Sequence, residues 1–175
     1  MGLWSWAGTI QRGFTVGRMP AVPFLPVTKT RVPAVEGLFT EVDGVAHLIG
    51  AKVPDRDSYF FPAHLSGMAG GDPAAVGAEL QECLLSPTGT VWSYTTSSYA
   101  PPPPFVANTE PYEPITIAAV KLEKEQMVVL GQCVQGVTPD DLEIGMTMEL
   151  VIDVLSEDDE HEYTVWKWQP AGGEN

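Results

Sequence analysis

From residue 86 onward, apolar and polar positions alternate with the two-residue period of half-buried strands. Segments 89–99 (GTVWSYTTSSY), 115–122 (ITIAAVKL), 126–134 (QMVVLGQCV), 146–155 (MTMELVIDVL) and 162–169 (EYTVWKWQ) are rich in β-branched and aromatic residues. Such residues fit a pleated surface. A tight turn at 123–125 joins the second and third strands, and the acidic stretch 156–161 (SEDDEH) turns the chain into the last. Segment 138–145 (TPDDLEIG) predicts one short helical turn, with Thr138 at its N-cap and Asp140 and Asp141 at its positive end. Five strands with a turn of helix between the third and fourth predict a mainly β protein, a five-stranded OB-fold barrel.

The pattern upstream is weaker. Residues 36–50 predict a short helix or a turn leading into a strand, and 50–73 are irregular. Residues 73–83 fit a short helix or a return strand. Pro20, Pro23, Pro26 and Pro33 deny backbone donors and fix φ, so 19–35 predicts an extended arm. The predicted organisation is an extended or disordered arm over 1–35, a helix-containing unit over 36–85, the OB-fold over 86–170 and a tail over 171–175. An acid-free start containing arginine also resembles a transit peptide, and Met19 is an alternative first residue.

Composition agrees with a turn-rich β protein. The chain of 175 residues has 17 Gly and 16 Pro, against about 21 of the two together at average usage. The net charge of −14 is unevenly spread. Residues 1–35 hold Arg12, Arg18, Lys29 and Arg31 and no acid, a charge of +4, which leaves −18 for the rest. So few bases argue against nucleic acid, whose phosphates need Lys and Arg. No apolar run approaches the ~18 residues of a membrane span. Two cysteines make neither a disulfide framework nor a zinc site, which points to reduced thiols in the cytoplasm.

No catalytic constellation is visible. His47, His64 and His161 lack metal-ligand spacing to one another or to a cysteine. His161 reads as a solvated charge partner and His47 as a packed or capping group. Residues 67–71 (GMAGG) lack the lysine and the strand-to-helix frame of a phosphate loop. Glu79 and Glu82 would raise the pKa of Cys83, which reads as a buried small apolar residue. Cys133 reads as core. The run 158–160 reads as a solvated hairpin rather than a Ca²⁺ loop. Trp92, Tyr94 and Tyr99 alternate on or near one strand, and Trp166 and Trp168 share a face of another. OB-folds use such faces to stack bases, but without nearby cations they read as core plus a protein interface.

Over residues 37–170 the chain resembles the acyl-CoA-associated zinc-ribbon/OB-fold proteins that partner thiolase-like enzymes. The resemblance rests on a run of motifs in order: GLF (37–39), LIG (48–50), FFP (60–62), GTVWSYT (89–95), YxPPPP (99–104), PYEP (111–114), VLGQ (129–132), DLEIGM (141–146) and EDDEHEYTVWKWQP (157–170). The nearest subset accompanies lipid-transfer-protein-type thiolases and aldolases of steroid side-chain degradation.

The resemblance implies a ribbon hairpin with two CxxC pairs, whose four ligand positions fall here at Val53, Arg56, Gly67 and Gly70. None supplies a thiolate, and a four-thiolate zinc site needs all four. A degenerate, metal-free ribbon is therefore expected within 36–85. It also implies a non-catalytic accessory subunit that shapes the CoA channel of an acyl-CoA aldolase (a lyase) or thiolase, with no activity of its own. The expected assembly is a hetero-oligomer, two plus two, with a CoA thioester at the shared interface and no cofactor bound by this chain. Expected partner or CoA-channel contacts are Tyr59, Phe60 and Phe61 of the ribbon, Trp92, Tyr94, Tyr99, the stiff run Pro101, Pro102, Pro103 and Pro104, and Phe105. The alternative is a stand-alone CoA or acyl-CoA binding module, for which cations are scarce.

Overall fold

The computed structural model describes residues 29–54, 56–63, 75–103, 105 and 109–172. The expected arm before residue 29, the ligand positions Gly67 and Gly70, and His64 and Pro104 lie outside them. Ten strands are described: β1 (Thr30–Pro33), β2 (Phe39–Val42), β3 (Val45–Lys52), β4 (Tyr59–Phe60), β5 (Gln81–Leu84), β6 (Thr88–Ser97), β7 (Ile115–Leu122), β8 (Met127–Gln132), β9 (Thr147–Glu157) and β10 (His161–Pro170). The strands from β6 onward are the five expected from the sequence, and β7 has the expected bounds.

They form one curled sheet in the order β1-β10-β9-β6-β7-β8. A parallel bridge between Cys133, just past β8, and Trp168 on β10 joins its two ends. The Val134 N–H donates to the Trp168 carbonyl there (3.0 Å). Antiparallel β6-β7-β8, a 3-10 turn at Pro139–Asp141, then β9 returning to β6 and β10 to the end of β8, is the connectivity of an OB-fold. The expected helical turn is that 3-10 turn. Asp141 holds it by accepting from the Thr138 N–H (2.8 Å) and Oγ1 (2.7 Å).

The segment before the barrel corrects one expectation. Residues 39–52 form a β-hairpin, so the turn-and-strand alternative holds and the helix does not. Asp43 and Gly44, both at positive φ (52° and 78°), make its two-residue turn. That backbone is the one a two-residue hairpin requires, and Asp-Gly is among its strongest sequence signals. Residues 81–84 are the return strand, pairing with β3 alongside β4.

The hairpin packs on the barrel rather than standing apart. Ala46, Leu48 and Leu85 share one buried cluster with Val91, Val120, Met148 and Trp168. The His47 Nδ1 donates to the Leu85 carbonyl (2.9 Å), the capping role expected of it. Glu125, buried in the β7–β8 turn, accepts from Ser86 N (2.9 Å) and Oγ (3.0 Å), which pins the barrel to the linker before it. Gly131 lets the sheet close: a Cβ there would stand 2.8 Å from the Trp168 indole and 3.1 Å from that of Trp166.

The β9–β10 turn is built on Asp158. Its Oδ1 accepts from the Glu160 N–H (2.8 Å) and His161 N–H (2.6 Å), and its Oδ2 from the Tyr163 hydroxyl (2.9 Å). The Glu160 and His161 backbone donors, then Tyr163, hold the carboxyl down at about 2, below its ordinary ~3.9. A depressed carboxylate contributes stability above its unfolded pKa and loses it as pH falls through its folded one. The turn should therefore persist to about pH 2. In an NMR titration the Glu160 and His161 amides should report a midpoint near 2; a midpoint near 4 would show that these bonds do not bias the carboxylate.

Candidate functional site

The outer face of β6-β7-β8 carries several exposed large apolar side chains. On β7, Thr116, Ala118, Val120 and Leu122 point into the barrel, so Ile117, Ala119 and Lys121 lie outside. Ala119 pairs with Ser93 on β6 and Leu130 on β8, and Lys121 pairs with Val128. Leu130 is 65% exposed. Beside Val91, whose carbonyl accepts from the Gly145 N–H (2.8 Å), Ile144 is 67% exposed.

Trp92 stands among them at 62% exposure. The register between β6 and β7 passes from Val91–Val120 directly to Ser93–Ala119, so Trp92 is the extra residue of a β-bulge. A bulge re-aims a side chain and reverses the in–out alternation that follows it. Val91 faces in before the bulge, and Tyr94 packs against the core after it. Trp92 and Tyr94, expected on one wall, thus face opposite ways.

The other expected contacts divide similarly. Tyr99 is 76% exposed. Pro102 and Pro103 are exposed and Pro101 half-buried, while Phe105 packs edge-on to Tyr112 at 6.3 Å. The Tyr112 hydroxyl donates to the Ser97 carbonyl (3.0 Å), anchoring this loop to the end of β6. The three ribbon aromatics, expected as partner or CoA-channel contacts, pack within the chain, Phe60 buried and Tyr59 and Phe61 half-buried. Phe60 is buried with Val53 and Ala75 in a small core of their own. Phe61 meets Trp166 edge-on at 5.7 Å, and Tyr59 packs on the main core under the Lys124 ammonium. Val53 is thus a core residue, and Arg56 is exposed in the turn after it.

A second feature has no forerunner in the sequence reading. A cleft of about 900 Å³ opens between the ends of β7 and β8 and the outer half of β9. Lys167, 4% exposed, reaches its wall and donates to Asp153 Oδ2 (2.7 Å) and the Val154 carbonyl (3.3 Å). Glu113, Asp153 and Glu157 against Lys167 leave the lining net acidic. The signal available in the sequence was Lys167 itself, a lone cation between two core tryptophans.

Both cysteines are held towards the neutral thiol. Burial raises the Cys83 thiol, with Glu125 and then Glu82 adding to it and Lys52 and Lys124 opposing. Burial pushes Cys133 up to about 11. Thiols held neutral are poor nucleophiles. Among the described residues no helix is long and apolar enough to cross a membrane.

Comparison with known proteins places this architecture. Residues 83–153 match the family model described as ChsH2, C-terminal OB-fold domain. A solved structure described as Ltp2-ChsH2(DUF35) aldolase contains a chain with 25% identity to this one and a TM-score of 0.48, covering 71% of this chain and 85% of that one. No curated protein gives a significant match. The matched residues run from β5 into β9 and are similar to that OB-fold domain, in line with the resemblance drawn from the motifs; β10 lies beyond them.

Proposed function

We propose that this chain, a carrier of the ChsH2-type OB-fold, is a non-catalytic accessory subunit of a thiolase-superfamily enzyme that cleaves a C–C bond in an acyl-CoA thioester. The observation that carries the reading is the exposed apolar face around Trp92 on a barrel of this family. An exposed patch of large apolar side chains on a soluble domain marks an interaction surface. Tyr99 and the adjoining prolines offer further rigid contact area, and restricted prolines lose little entropy on docking. The nucleophile or the acid and base would come from the partner, a lipid-transfer-protein-type subunit in a two-plus-two assembly. The CoA thioester would lie at the shared interface. The steroid side-chain aldolase and the thiolase are the two versions of this chemistry.

The stand-alone CoA-binding alternative is disfavoured by where the cations are. CoA phosphates want charge-assisted donors. Lys29, Arg31, Lys121 and Lys167 are already paired with Glu157, Glu162, Glu123 and Asp153. Affinity purification of the tagged full chain from its native cell should yield a co-purifying chain identified by mass spectrometry as thiolase-like. The reconstituted pair should cleave an acyl-CoA, while this chain alone should show no turnover and no CoA affinity. Turnover by the isolated chain, or a stable partner without a thiolase fold, would overturn the proposal.

A further inference from the structure

The charged groups in the wall of the cleft are unequally matched. Lys167, Asp153, Glu157 and Glu113 all line it. Three of them are neutralised within the protein. The Lys167 ammonium lies 2.7 Å from Asp153 Oδ2, and Asp153 Oδ1 accepts from the Val154 N–H (2.8 Å). Glu157 Oε2 lies 2.9 Å from the Lys29 ammonium, which reaches it from just before β1. Glu113 forms no ion pair among the described residues, and its Oε2 accepts only a long bond from Gln135 Nε2 (3.4 Å). Its backbone is nonetheless held in place, since the Glu113 N–H donates to Thr109 Oγ1 (3.0 Å). The cleft thus presents one unmatched charge, a carboxylate.

We propose that this cleft binds a small organic cation, an amine on a compact apolar body, with Glu113 as its counter-ion. Its volume of about 900 Å³ lies within the range of small-molecule sites. Ile115, Val134, Val137 and Leu155 give the lining an apolar part against which such a body can leave water. Thr116, 5% exposed, adds a hydroxyl to the same lining, a group that can accept a proton from an ammonium. Charge selects the class of ligand. An ammonium on Glu113 makes a charge-assisted hydrogen bond, whereas a carboxylate or phosphate entering there meets a like charge. Lys167 does not reverse this preference, because it is 4% exposed and held by Asp153 and the Val154 carbonyl. The inference does not depend on the proposed partner, since neither Trp92, Leu130 nor Ile144 lines the cleft.

The test is titration of the full-length chain with three probes of one shape, adamantylamine, adamantanol and adamantane carboxylate, followed by amide NMR at pH 7. The amine should shift Glu113, Thr116, Cys133–Val137 and Leu155 along saturable curves. Its Kd should be at least about tenfold below that of the carboxylate, the scale of one hydrogen bond to a charged group. In Glu113→Gln the amine should lose about tenfold in affinity, while adamantanol stays within about twofold. The selectivity among probes in wild type needs no variant, so it stands even if the substitution disturbs the loop. A carboxylate that binds as tightly as the amine would show that Lys167 rather than Glu113 sets the preference, and overturns the proposal. Amine shifts scattered over the acidic surface, undiminished in Glu113→Gln, would reduce the effect to the net charge of −14 and overturn it too. Absence of saturable shifts with the amine does the same.

Discussion

Replacing Trp92 with alanine should weaken the complex with the thiolase-like partner by about 2 kcal/mol or more, roughly 30-fold in Kd, while leaving the fold intact. Interface energy concentrates in large aromatic anchors that become fully desolvated on binding. Trp92 combines that side chain with 62% exposure in the free chain and a bulge that fixes its direction. Because it contacts solvent rather than core, its removal should change unfolding free energy by no more than about 0.5 kcal/mol. Calorimetric titration of the variant with the partner, beside a urea melt of the variant alone, separates the two quantities. A Kd within twofold of wild type would remove the outer β6-β7-β8 face from the interface.

Trp168→Ala should act in the opposite way and cost about 3–5 kcal/mol of stability, the range for emptying a buried tryptophan site. Trp168 is fully buried and its backbone forms the bridge that joins the two ends of the sheet. At roughly 2–4 °C per kcal/mol for a chain of this size, Tm should fall by about 10 °C. Trp168→Phe should retain most of the stability, because the indole Nε1 has no hydrogen-bond partner among the described residues. Denaturant melts of both variants give the numbers. A loss below about 1 kcal/mol in the alanine variant would mean that the barrel does not depend on this closure.

The barrel strands were legible because each is a self-contained alternation of β-branched and apolar residues, and the short turns between them carry Glu, Asp, Gly or Pro. The hairpin at 39–52 has one local signal, its Asp43–Gly44 turn, set between strands of only weak alternation. The bulge was not legible. Trp92 and Tyr94 have the spacing of one face, and only the loss of a pairing partner on β7 turns them apart. The inward turn of Phe60 and Phe61 was hidden for a related reason. Their packing partners, Ala75 and Trp166, lie 15 and 105 positions downstream and carry no local trace in the sequence. The cleft was invisible on the same ground, since its walls come from chain segments far apart.

The parallel pairing of β1 with β10 has a consequence for the order of events during synthesis. Val32 accepts a hydrogen bond from Thr164, 132 residues later. β1 therefore leaves the ribosome first and waits for almost the whole chain before its partner exists. Meanwhile β6, β7 and β8 can already pair as successive hairpins, with contacts close in sequence that form fast. Once β10 arrives, its outer edge stays open until β1 returns. An open edge accepts a strand from any neighbouring chain. At high nascent-chain density, this makes exchange of N-terminal strands between two copies the characteristic misassembly of this fold.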